Sequence, residues 1–188
     1  MEATSRHIEK DMTEQNKWYP LRVTYGRELK LKDKLDQLRI TSFIPMRYRK
    51  VEKDGRRKTV LVPAVSNLLF AFSTREAIDG LRMQLSETLP FHYIWDKATS
   101  LPIVVPDKAM EDFIRVSSAV DDDIVYMSDV SPLLRSGQKV RVKAGPFAGV
   151  EGRVVRIRKA KRVMVELPGM LAVATAYIKG EWLEVVEE

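Results

Sequence analysis

The sequence predicts an α+β protein in two parts: an N-terminal antiparallel sheet flanked by helices, then a small C-terminal β-barrel. Three observations predict it. Over residues 17–118 the apolar periodicity runs strand, helix, three strands, helix, strand, helix. Two of those strands are joined by a short Asp-Gly turn, which favours an antiparallel sheet with helices packed on it. An acidic stretch, residues 119–134, then carries four aspartates and no basic residue. From Gly137 onward, short alternating runs punctuated by glycine and proline replace the helical pattern.

Residues 1–16 are polar, with Ile8 the one branched aliphatic, and read as a loose, disordered tail. Order is predicted from Trp18: Trp18-Tyr19-Pro20-Leu21-Arg22-Val23-Thr24 is aromatic and β-branched, so it is a strand. Pro20 has no N–H, which requires an edge position or a free N–H side. Leu31, Leu35 and Leu38 recur at helical spacing within Arg27–Leu38. Thr41–Val51 reads as extended, Asp54-Gly55 turns the chain, and Thr59–Val62 returns before Pro63. Leu68–Phe72 is the most apolar short run and is placed centrally; Ser73 as N-cap and Glu76 three residues on have the form of a capping box for the next helix. Tyr93–Trp95 is a short strand, and Asp107–Ser117 is a helix with the stripe Met110, Phe113, Ile114 and Ser117.

The C-terminal unit, residues 135–188, is organised around Gly137–Gly152. Val140 and Val142 alternate with Lys139, Arg141 and Lys143, the period of a half-buried strand. Gly145-Pro146-Phe147 forms a turn, and Gly149 and Gly152 mark bends or places where another backbone comes close. Strands near 150–158, 162–167 and 171–176 follow, and Trp182–Val185 closes a five-stranded barrel, an architecture stable at this size without disulfides.

Composition removes several classes of function. The chain has 188 residues, 45% of them apolar, and no cysteine, which excludes a thiol nucleophile, disulfides and thiolate zinc sites and fits a reducing cytoplasm. His7 and His92 are the two histidines, too few and too far apart for a histidine metal site. Gly145–Gly152 lacks the Gly-Lys-Ser/Thr of a phosphate loop, and Asp121-Asp122-Asp123 reads as linker. No catalytic residue, metal or cofactor is predicted, and no apolar run is long enough to cross a membrane. The net charge of +6 divides into two basic bodies, residues 17–118 and 135–188, around the acidic spacer. Each body is therefore expected to face something anionic.

The Gly137–Gly152 pattern resembles the KOW motif of NusG-type transcription factors and some ribosomal proteins. The start at Trp18-Tyr19, the glycine turn, the leucine-patterned helix and the hairpin resemble the N-terminal domain of NusG. Together the likeness implies a polymerase-binding domain over 17–118, a linker over 119–134 and an SH3-like KOW barrel over 135–188. Three stretches look closest to specialised paralogues of the UpxY type: Trp18–Arg22, Phe43–Val51 and Val62–Phe70. That subfamily implies antitermination at one capsular polysaccharide operon; a general NusG and a ribosome-associated RNA-binding KOW protein are the alternatives.

The resemblance implies a non-catalytic, monomeric cytoplasmic factor that binds RNA polymerase through an apolar patch at Phe43, Pro45, Asn67, Leu68 and Phe70. Ser73 and Thr74 match the place where related factors touch the opposite side of the polymerase cleft. Because Leu68 and Phe70 alternate with Leu69 and Ala71, one face of that strand must be core and the other alone can dock. The charge itself points to a second surface. Within residues 39–58, eight basic groups face two acidic ones, and Arg47, Arg49, Lys50, Lys53, Arg56, Arg57 and Lys58 are expected on one face of the hairpin. That face would meet upstream or non-template DNA. For the barrel, with Lys139, Arg141, Lys143, Gly145, Pro146, Phe147, Gly149 and Gly152 as its motif, the resemblance implies nascent RNA or a ribosomal small-subunit protein as partner. General NusG proteins carry Phe-Gly where this chain has Leu167-Pro168-Gly169-Met170, which favours a specialised paralogue.

Overall fold

A computed structural model of the protein describes residues 15–53, 55–119, 123–128 and 130–187. The expected tail up to residue 14, and Asp121 and Asp122 of the acidic run, lie outside them. The N-terminal half is a four-stranded antiparallel sheet in the order β2-β5-β1-β6. Its strands are β1 (Lys17–Val23), β2 (Thr41–Phe43), β5 (Leu68–Ser73) and β6 (Phe91–Tyr93). The expected strand Thr41–Val51 is in fact two. Ile44-Pro45 interrupts it, so β2 stays in the sheet while β3 (Met46–Lys53) pairs with β4 (Arg56–Pro63) as a separate ribbon. Pro20 lies inside the sheet, not at its edge. Its carbonyl accepts from Ile94 on the β6 side, where the β1–β6 ladder has already ended, so the absent N–H leaves no partner unpaired.

Alternation along β5 settles what lies on each side. Leu69 and Ala71 join Leu21, Val23, Phe91 and Tyr93 against α1 (Glu28–Gln37) and α2 (Arg75–Gln84), which contribute Leu31, Leu35, Ile78 and Leu81. Leu68 and Phe70 point the other way, into a second core with Val105 and with Met110, Phe113 and Val116 of α3 (Asp107–Ser117). Val116 is the buried member of the α3 stripe where Ile114 was expected; Ile114 is half-buried. The α2 cap also moves by one residue. Ser73 is the last rung of β5, opposite Lys17, so Thr74 becomes the N-cap, and its Oγ1 accepts from Ala77 N–H at 3.2 Å.

The C-terminal half is a six-stranded antiparallel sheet in the order β12-β8-β9-β10-β11-β7. It comprises β7 (Val125–Met127), β8 (Lys139–Val142), β9 (Glu151–Ile157), β10 (Ala160–Leu167), β11 (Leu171–Ala174) and β12 (Leu183–Val185). A five-stranded barrel was expected, and the sixth strand comes from the segment read as linker. Val125–Met127 pairs with β11, and Pro132–Arg135 forms a short helix, α4. Acidity hid the strand, because aspartates surround the apolar Ile124-Val125-Tyr126-Met127. Gly152 illustrates the close approach expected of this half: a Cβ there would stand 2.3 Å from the Met164 carbonyl oxygen of β10.

Candidate functional site: a covered apolar face

The second core runs through both halves of the chain. Leu68, Phe70, Met110, Phe113 and Val116 belong to one continuous apolar cluster with Val140, Val142, Phe147, Val150, Val163, Val165 and Leu167 of the C-terminal sheet. Phe113 is its hub. Its ring centroid lies 5.5 Å from Phe70, 6.2 Å from Phe43 and 6.5 Å from Tyr126 of β7, all tilted or edge-on. Burial pushes the Tyr126 phenol up, and Ser117 and Arg47 partly offset the rise.

The polar contacts of α3 seat it on the turn of the C-terminal half. Asp112, 4% exposed, accepts from Lys108 Nζ at 2.7 Å through Oδ1 and from the backbone N–H of Glu151 at 3.2 Å through Oδ2. Lys108 also donates to the Gly149 carbonyl at 3.1 Å, and Arg115 donates to the Ala148 carbonyl. A buried carboxylate is stable only when hydrogen-bonded, and these donors supply that. Sequence reasoning missed all three side chains, because Lys108 and Asp112 at i and i+4 look like an ordinary surface pair. The one available signal is an aspartate directly beside Phe113 on the apolar flank of the helix.

The expected docking residues fall as follows. Leu68 is 4% exposed and Phe70 is fully buried; Pro45 is buried and Phe43 is half-buried. Asn67 holds a turn. Its backbone has φ +62°, its Oδ1 accepts from Gly26 N–H at 2.8 Å, and its own N–H donates to Glu28 at 3.2 Å. Ser73 is buried in the β1–β5 ladder, and the Thr74 hydroxyl caps α2. Beside Leu68 a groove of about 580 Å³ opens between the halves, with Arg22, Ile94 and Trp95 on one wall and Gly169, Met170 and Leu171 on the other. The turn between β10 and β11 thus abuts the apolar strand.

The basic ribbon gathers most, but not all, of its charges on one face. Residues paired across an antiparallel ladder share a face, so the register puts Arg47, Arg49, Arg56 and Lys58 with Val51, Val60 and Val62. Lys50 and Arg57 lie on the opposite face with Tyr48, Leu61 and Glu52. Lys53 is opposite Arg56 in the ladder. Lys50 and Arg57 each adjoin another basic residue along their own strand, and alternation turns such neighbours to opposite faces.

In the turn motif, Gly145 has φ +83°, and a Cβ there would meet the Trp182 ring at 2.6 Å, so both backbone and space demand glycine. Phe147 is 5% exposed, pointing into the shared core, while Pro146, Gly149 and Lys143 are exposed. Lys139 is half-buried. Arg141 donates to Glu151 Oε1 from two nitrogens at 2.9 and 2.7 Å. Among the described residues no three His, Asp or Glu side chains stand close enough to hold a metal ion. Among them, too, no helix is long and apolar enough to cross a membrane.

Comparison with known proteins fits this geometry. The family described as transcription termination factor nusG matches residues 16–114, more than half of the chain. The chain belongs to the NusG family. The KOW motif matches residues 136–166, covering β8, the Gly-Pro-Phe turn, β9 and most of β10. Among solved structures, one described as domain interaction in Thermotoga maritima NusG is similar at 19% identity, covering 92% of this chain and 98% of that one, with a TM-score of 0.46. No curated protein sequence matches. The NusG and KOW domains imply a transcription elongation and antitermination factor, and NusG-family proteins are non-catalytic.

Proposed function

We propose that this NusG-family protein binds RNA polymerase through the second face of its N-terminal sheet and suppresses pausing or termination. The observation that carries the reading is the placement of Leu68 and Phe70. They are large and apolar, lie on the opposite side of β5 from the α1–α2 core, and are sealed by α3 and the C-terminal sheet. An apolar strand face of this kind supplies anchors for a helical partner once uncovered. In the arrangement described here it is covered, so docking requires α3 and the C-terminal sheet packed on it to move off β5. Polymerase would then compete with the protein's own KOW half, and binding is set by the difference between the two contacts.

The ribbon face with Arg47, Arg49, Arg56 and Lys58 supplies a phosphate-binding surface for DNA beside the transcribing enzyme. Nascent RNA or a ribosomal small-subunit protein is the partner proposed for the released KOW half. The UpxY-like stretches support action at a single polysaccharide operon in the cytoplasm. Transcript profiling after gene deletion decides that point: one affected locus supports it, and broad effects would make this a general factor.

The binding claim is tested by capture on immobilised core RNA polymerase. Phe147→Ala, which weakens the inter-domain contact from the KOW side, should increase capture several-fold over the wild-type chain. Leu68→Asp should abolish capture in the Phe147→Ala background while the N-terminal sheet still melts cooperatively. Failure of both wild-type and Phe147→Ala chains to bind at low salt would overturn the proposal. Glutamate at Arg47 and Arg49 should lower the salt dependence of DNA binding; an unchanged slope removes the DNA role.

A further inference from the structure

The groove beside Leu68 is lined from both halves of the chain, and its lining is mostly apolar. Leu68 and Leu171 are buried, Ile94 and Met170 are half-buried, and Trp95 is 50% exposed. At about 580 Å³ it has the size of a small-molecule site, and such sites favour domain boundaries.

Both walls are formed in advance by their own backbones. On the N-terminal side Trp95 bridges Pro102, Ile103 N–H donates to the Ile94 carbonyl at 2.8 Å, and Asp96 N–H donates to the Leu101 carbonyl at 2.8 Å. Asp96 closes the loop between them, its Oδ1 accepting from Ala98 N–H at 2.7 Å and from Thr99 N–H at 3.3 Å. Tyr93 stands edge-on to the Trp95 ring with centroids 6.3 Å apart, so the indole is braced although half of it meets solvent. On the C-terminal side Met170 N–H donates to the Leu167 carbonyl at 3.1 Å within the β10–β11 turn. A Cβ on Gly169 would stand 3.5 Å from Ile103 Cδ1, so the two walls approach each other there.

Charge decides what fits between them. Arg22 and Lys97 line the groove and both are exposed. Among the described residues neither has an ion pair. The carboxylate in the lining is that of Asp96, and its Oδ1 is taken up by the loop N–H groups. An apolar slot with a braced indole and two unpaired cations complements a flat apolar molecule that carries an acid group.

We propose that this groove binds a small aromatic acid, its ring system against Trp95 and Met170 and its acid group on Arg22. The planar guanidinium suits a two-pronged contact with a carboxylate, and Lys97 adds to the attraction. Because the lining comes from both halves, the ligand binds the docked arrangement and not the separated one, and so holds the halves together by mass action. The assignment does not rest on the polymerase reading.

The test is fluorescence titration of the full chain with anilinonaphthalene sulfonate and with N-phenylnaphthylamine, a like ring system without the acid. The wild-type chain should bind the sulfonate in one saturable phase, about tenfold more tightly than the neutral dye at low salt. That preference should shrink as salt is raised. Arg22 is exposed, so Arg22→Gln should keep the fold, abolish the preference and leave affinity for the neutral dye unchanged. Trp95→Ala and Met170→Ala, one from each wall, should each weaken both dyes several-fold. Bound sulfonate should also slow amide exchange in β5 of the wild-type chain. Equal affinity of the wild-type chain for the two dyes would overturn the proposal, as would wild-type binding by both the Arg22→Gln and Trp95→Ala chains. Faster exchange in β5 on dye binding would overturn it too, because the dye would then be occupying the separated apolar face.

Discussion

The two faces of β5 are equally dry and yet do different work. Leu69 and Ala71 face α1 and α2, elements within ninety residues of the start of the chain, and close the core of the N-terminal half. Leu68 and Phe70, one step along the same strand, face α3 and a sheet built mostly from residues beyond 138. The first contact is made inside one domain and cannot be given up without unfolding it. The second joins two domains, and under the proposal above it is the one exchanged for a partner. Burial alone therefore does not separate core from interface; what matters is whether the covering layer can leave with its own fold intact.

The largest effect expected of this contrast is at Leu69. Leu69→Ala deletes a fully buried side chain from the α1–α2 core and should cost about 3 kcal/mol, within the range for buried leucines. Chemical denaturation of the N-terminal half should show the whole loss. A loss well under 1 kcal/mol would mean that this face, too, is loosely held.

Phe147→Ala makes the matching cut on the exchangeable side. Phe147 is as buried as a core residue and belongs to the cluster that α3 shares with the C-terminal sheet. Its removal should separate the halves well before either melts, seen as faster amide exchange in α3 and β5 with the α1–α2 core still protected. Simultaneous loss of protection in both cores would contradict the division drawn above.

How far the sequence foretold this arrangement depends on the range of the signal. Period-two and helical patterns located β1, β5, α1, α2, α3 and the strands around Gly145-Pro146, because each is fixed by neighbours a few residues away. The alternation of Leu68 and Phe70 with Leu69 and Ala71 showed that two faces existed. What covered the second face was not legible, since it depends on α3 meeting the KOW half. For the same reason Asp112 passed as a surface residue, and Val125–Met127 as linker, although its partner is β11. The ribbon's charges were counted onto one face although Arg49-Lys50 and Arg56-Arg57-Lys58 are consecutive, and successive residues of a strand point to opposite sides.

Asp112 permits a finer cut through the same boundary. Asp112→Asn keeps the shape and one acceptor oxygen but removes the charge that binds Lys108 and the Glu151 N–H. Truncating or neutralising one side of a buried charge-assisted contact costs about 1–3 kcal/mol. The loss should fall on the inter-domain contact, raising polymerase capture less than Phe147→Ala does, with the midpoint of the α1–α2 core unchanged. Equal destabilisation of that core would show that α3 belongs to it energetically.

The smallest effect belongs to the pair next to this latch. The hydrogen bonds from Arg141 hold the Glu151 carboxyl below its ordinary range, against a smaller desolvation effect in the other direction. A lowered carboxylate contributes stability above its unfolded value and loses it as pH falls through the folded one, so the contribution is complete at neutral pH and gone in acid. Arg141 is solvent-exposed, so the pair contributes little and is screened by salt. Glu151→Gln should therefore leave the midpoint at acidic pH unchanged and lower it slightly at neutral pH, in low salt only. Because the Glu151 backbone N–H and not its side chain contacts Asp112, the substitution should not alter domain separation. A change in amide exchange at α3 on Glu151→Gln would show that the surface pair and the latch act as one unit.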